Sequence, residues 1–211
     1  LLERMCMNTD SVLKGSDLPN LYASVLVLLL LPMYFGNKTV RIRDKVVYGL
    51  ALLFLLISFE LNYLDYIWHG LHFPNSFPAR QSFFYIFLVL GLGYEAYVKR
   101  NKLQGKIVYP VIALALVGIL WIVNVINDQS AGLMVYLCTL IFLAVYGVLF
   151  CCEKVMPPKL FLGLLLGICC VECGMNLGVS GLDSLVSRTA YTEDDPETEL
   201  LLSEIMPEEN T

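Results

Sequence analysis

Apolar residues run in six blocks along the chain, and polar residues gather in the gaps between them. The blocks cover residues 20–36, 45–64, 78–98, 107–126, 133–152 and 160–179. A membrane helix needs about 20 mostly apolar residues to cross ~30 Å of hydrocarbon. The last three blocks meet that length unaided. The first is short, and Glu60 and Glu95 lie near the ends of the second and third. In lipid every backbone amide must pair internally, so such blocks predict helices rather than open strands. The pattern predicts an all-α integral membrane fold with six transmembrane helices. It divides the chain into an outer N-terminal segment 1–19, a membrane domain 20–180 and an outer acidic segment 181–211. The first block is not a signal peptide, because it has neither a basic leader nor a small-residue cleavage site.

Between the second and third blocks the spacing changes. Leu64, Ile67, Trp68 and Leu71 fall at i, i+3, i+4 and i+7, one stripe of a helix. Asn62, Asp65 and His69 form another. This predicts an interfacial amphipathic helix lying along the membrane surface, with Tyr63, Tyr66 and Trp68 at headgroup level. Gly70 ends it, and Pro74, Asn75 and Pro78 force an irregular turn.

Composition agrees with a membrane protein. Hydrophobic residues make up 57% of the 211, charged residues 16%, and the mean hydropathy is +0.68. An ordinary soluble domain carries about 25% charged residues. The net charge of -5 is uneven. Residues 181–211 hold nine acids against one base, Arg188, which leaves the rest of the chain net basic. Neither part resembles a nucleic-acid-binding surface, and no nucleic-acid partner is expected. The opening residue is Leu1, not Met, which suggests a piece of a longer protein.

The basic residues decide orientation. Lys38, Arg41, Arg43 and Lys45 follow the first block. Lys99, Arg100, Lys102 and Lys106 follow the third, and Lys154 and Lys159 the fifth. The positive-inside rule assigns these alternate loops to the cytoplasm. The expected location is the plasma membrane, multi-pass, with both ends extracytoplasmic. The sequon Asn37-Lys38-Thr39 then falls on the cytoplasmic side and is discounted.

Candidate chemistry is sparse. Asp65, Trp68, His69, Asn75 and Arg80 share the outer loop. One reading makes Asp65 and His69 a water-facing i, i+4 pair and Arg80 a lipid anchor. Another makes the group a cavity for a polar headgroup, with Arg80 for phosphate and Asp65, His69 and Asn75 for hydroxyls. Glu172 sits inside the last block with Asn176 one turn on. A carboxylate there costs ~2.5–3.5 kcal/mol on insertion scales, so both are cavity or helix-to-helix candidates. Cys169, Cys170 and Cys173 lack an accompanying His, and packing explains them better than a metal site. Asn124 is expected to bond between helices.

Trp68-His69-Gly70, Pro74-Asn75 and Pro78-Ala79-Arg80-Gln81-Ser82-Phe83 resemble the bacterial multi-pass membrane proteins of the YfhO family. Leu18-Pro19-Asn20-Leu21-Tyr22 and Val186-Ser187-Arg188 are similar to that family's segments in the same order. The family often has an aromatic on each side of the arginine, where this chain has Ala79 and Gln81. The resemblance implies a GT-C-like glycosyltransferase that takes sugar from a polyprenyl-phosphate donor and adds it to a cell-envelope polymer such as lipoteichoic acid. The implied partners are membrane lipid and that donor; no cofactor is assigned, and the resemblance leaves open a divalent metal in the complete protein. The resemblance implies a catalytic acid in an earlier outer loop, so no catalytic residue is assigned here. A transporter or flippase, or a non-catalytic scaffold, remains the alternative.

Overall fold

The computed structural model describes residues 2–7, 19–72, 79–103, 105, 107–126 and 133–178. Among them the helices are α1 (Val25–Gly36), α2 (Ile42–Glu60), α3 (Asn62–Trp68), α4 (Ser82–Lys99), α5 (Val108–Ile126), α6 (Leu133–Cys152) and α7 (Pro158–Asn176). Single 3-10 turns lie at Leu2–Met5 and Arg100–Lys102. The fold is an all-α bundle, and its helices fall close to the apolar blocks.

The expectation of six transmembrane helices fails. Among the described residues only three helices are long and apolar enough to cross a membrane: Ser82–Lys102, Leu133–Cys152 and Pro158–Asn176. The first block yields a helix of 12 residues. At 1.5 Å per residue that is about 18 Å, well short of the hydrocarbon thickness. Five residues from Pro19 to Ala23 stay outside the helix because Ser24 caps it at Val25. In α2 the residues Arg43, Asp44 and Lys45 fill the first turn and Glu60 ends the helix, which leaves too short an uncharged stretch. α5 spans 19 residues, and its described apolar stretch is Val108–Val123.

The shortest apolar helix is the most buried. Val25, Val27, Leu29, Leu30, Met33 and Tyr34 of α1 are buried on several faces. Helices α4, α5 and α6 pack around it, α5 lies against α6, α7 against α6, α2 against α4, and α3 against α2. The N-terminal turn also enters this core. Cys6 and Met7 are buried, and the Met7 amide donates to Thr139 Oγ1 of α6 at 3.0 Å. The α5–α6 contact is close because Gly147 lacks a side chain. A Cβ there would lie 2.7 Å from Pro110 Cβ. Large apolar side chains such as Phe87, Ile126, Met134 and Val148 point outward. Outward apolar faces are normal in lipid and a liability in water.

One end of the bundle is tied by polar contacts between loops. Asn37 is buried and donates from Nδ2 to the Lys99 carbonyl at 3.2 Å. Its Oδ1 accepts from Thr39 N and Oγ1, each at 2.9 Å. The sequon asparagine is thus consumed in a turn. Arg100 Nε donates to Glu153 Oε1 at 2.6 Å, with its guanidinium 3.9 Å from the Tyr97 ring centre. These contacts join the loops after α1, α4 and α6, which are the basic loops of the sequence.

Candidate functional site

Two polar clusters stand out. The first is built on α3. Asp65 and His69 lie one turn apart, and their side chains are only 14% and 6% exposed. Asp65 and His69 therefore turn inward. Tyr63, Ile67, Trp68 and Leu71 of the apolar side are exposed. A helix whose apolar side faces outward suits a lipid boundary, and this inverts the expectation of a water-facing pair.

Asp65 organises the surrounding backbone. Its carboxylate Oδ1 accepts the Ala79 amide at 3.1 Å and lies 3.5 Å from His69 Nδ1. Its carbonyl accepts the His69 amide at 3.0 Å and pairs with His69 Nδ1 at 2.8 Å. The Ala79 bond pulls the start of α4 back onto α3 across 14 residues of chain. Ala79 has φ 57, a left-handed conformation uncommon for a residue with a side chain. Arg80, the next residue, is exposed, and no described residue pairs with its guanidinium. Trp68 packs on Phe84 of α4, ring centres 5.5 Å apart. The structure thus brings Asp65, His69 and the backbone before Arg80 together, with Trp68 on the outward side of α3. Asn75 lies outside the described residues.

The second cluster centres on Glu172 of α7, which is fully buried. Oε1 accepts the Val25 amide at 2.5 Å and the Tyr22 hydroxyl. Oε2 accepts the Tyr146 hydroxyl at 2.5 Å and Ser24 Oγ at 3.1 Å. Four donors from the segment before α1, α1 itself and α6 therefore meet one carboxylate. Val25 is the first residue of α1, so its amide is one that a helix leaves without an internal partner. A negative group at that end also suits the helix dipole. Ser24 is the N-cap, and its Oγ accepts the Leu26 amide at 3.2 Å. It does so at φ 91, ψ 141, a region seldom used outside glycine. The break before α1 thus leaves polar backbone at the level of α7, and Glu172 satisfies part of it.

Asn176 is half-buried on the next turn of α7. The tyrosines and Ser24 were not foreseen as partners of Glu172. Hydroxyls inside apolar blocks were the available signal, but their meeting depends on where α1 starts. Cys169 Sγ lies 3.3 Å from the Tyr146 hydroxyl oxygen, while Cys170 and Cys173 are exposed. Among the described residues, no group of three or more His, Cys, Asp or Glu is placed to hold a metal.

Leu21 anchors the segment before α1. It is buried in a pocket with Tyr85 and Val89 of α4 and Leu55 of α2, against which Phe59 also packs. Its neighbour Tyr22 reaches Glu172. Pro19-Asn20-Leu21-Tyr22 is therefore a strap held at both sides. No curated protein and no solved structure matches the chain. The family model described as bacterial membrane protein YfhO matches residues 2–210. With that coverage, and an all-α fold in which three helices among the described residues are long and apolar enough to cross a membrane, the chain belongs to the bacterial membrane protein YfhO family.

Proposed function

We propose that this chain is part of a membrane glycosyltransferase. Sugar passes from a polyprenyl-phosphate donor to a cell-envelope polymer such as lipoteichoic acid. The observation that carries the reading is the exposed guanidinium of Arg80, positioned by the Asp65–Ala79 hydrogen bond and free of any described ion-pair partner. A guanidinium binds phosphate through two parallel hydrogen bonds, which an ammonium does not reproduce. A cation beside outward apolar residues suits a ligand with a phosphate head and a hydrocarbon tail. In this reading the end with Arg80 faces outward, and the end with Lys38, Arg41, Lys99 and Lys102 faces the cytoplasm.

The transporter reading draws on the helix break before α1, since transporters bind cargo at such breaks. The Glu172 carboxylate speaks against that use here. Its two oxygens already accept four hydrogen bonds, which fills about all its lone-pair sites. A cargo-binding carboxylate needs open capacity. Glu172 fits a structural role better.

The test is sugar incorporation into the envelope polymer by cells expressing Arg80→Lys or Arg80→Ala, normalised to membrane protein. Hydrogen bonds to charged groups contribute ~1.5–3 kcal/mol. Alanine is therefore expected to lower incorporation about 10- to 100-fold, with lysine in between. Full activity with lysine would make Arg80 a generic lipid anchor.

A further inference from the structure

The His69 ring has one nitrogen used and one unused. Nδ1 lies 2.8 Å from the Asp65 carbonyl oxygen. A carbonyl only accepts, so Nδ1 carries the proton and donates. In the neutral ring, Nε2 is then an acceptor with a free lone pair. Nε2 is buried, and among the described residues no hydrogen-bond partner reaches it. The ring itself is 94% buried by its side-chain exposure of 6%. A buried acceptor left open in this way is unfavourable unless something donates to it. A neutral ring in this tautomer needs a donor at Nε2, such as a hydroxyl.

From this geometry we infer that His69 Nε2 accepts a hydrogen bond from a sugar hydroxyl of the ligand whose phosphate Arg80 holds, with Asp65 as the positioning residue. This rests on the functional reading above and names the group that reads the sugar. The two residues divide the ligand. Arg80 exists for the anion, and His69, in its Nδ1-protonated form, cannot bind a fully deprotonated phosphate oxygen through Nε2. Asp65 links them physically, since one side chain and carbonyl fix both the His69 ring and the Ala79 backbone.

The test compares two probes in nanodiscs holding the complete protein: a polyprenyl-phosphate hexose and the same polyprenyl phosphate without sugar. Wild type should prefer the sugar-bearing lipid. His69→Phe, which keeps a planar ring, should reduce that preference about 3- to 10-fold while leaving affinity for the bare lipid unchanged. Arg80→Lys should weaken both lipids together and keep the preference. A second readout does not depend on a variant folding. In protein labelled with ¹⁵N-histidine, the His69 signals should report the Nδ1–H tautomer, with the Nε2 resonance shifting on the sugar-bearing lipid only. An Nε2–H tautomer, or an unchanged preference in His69→Phe, overturns the inference while the Arg80 result stands. No effect of Arg80→Lys on either lipid overturns the functional reading instead.

Discussion

Replacing Glu172 by leucine removes the one acceptor that four donors share. The Val25 amide and the Tyr22 hydroxyl lose the partner they have in Oε1. Tyr146 keeps a contact with Cys169, and the Ser24 hydroxyl can rotate. A buried donor left unsatisfied costs ~1–3 kcal/mol, so two of them set a loss of about 2–6 kcal/mol. Glutamine behaves differently. Its carbonyl oxygen accepts from Val25 and Tyr22, and its amide donates to hydroxyls that can also accept. Only the charge-assisted part is lost, about 1 kcal/mol. The assay is the thermal unfolding midpoint of the purified protein in lipid nanodiscs, for wild type, Glu172→Gln and Glu172→Leu. The expected order is wild type, then glutamine, then leucine well below. An isolated carboxylate in an apolar helix would give the opposite result, because leucine would remove a polar defect. Leucine equal to or more stable than glutamine would refute the reasoning.

Two further predictions follow from the strap and the loops. At Ser24 the backbone strain predicts that alanine is worse than glycine by about 1 kcal/mol in unfolding free energy, since both lose the cap and only glycine tolerates φ 91; equal stabilities would show that the conformation is unstrained. For orientation, single cysteines at Tyr63 or Leu71 in a background without other accessible thiols should label in intact cells with an impermeant reagent, while cysteines at Arg41 or Lys102 should not; the reverse pattern would invert the bundle.

The helical blocks were readable from hydrophobic runs because a run of apolar residues in lipid has one backbone solution. The sixth block and α7 differ by a few residues, and α6 coincides with its block. Length in sequence did not translate into length of helix at α1. Pro19, Asn20 and Ser24 are turn and cap residues, and they convert the start of an apolar run into a non-helical strap. The short α3 was visible in its two stripes, yet which stripe faces inward depends on what packs against it. Asp65 turns inward because its acceptor is needed by the Ala79 backbone, a contact 14 residues away. The Glu172 cluster joins residues about 150 apart, and nothing local in the sequence pairs Tyr22 with Glu172.

The central claim is that sugar leaves a polyprenyl-phosphate donor on this protein. The most direct measurement reconstitutes the complete protein in proteoliposomes with a polyprenyl-phosphate carrying a radiolabelled hexose and the envelope polymer as acceptor. The account predicts that label moves into the polymer, that bare polyprenyl phosphate accumulates in equal amount, and that Arg80→Ala slows both together by about 10- to 100-fold. Label that stays on the lipid with wild-type protein shown to be folded, or transfer that is unchanged in Arg80→Ala, would contradict it.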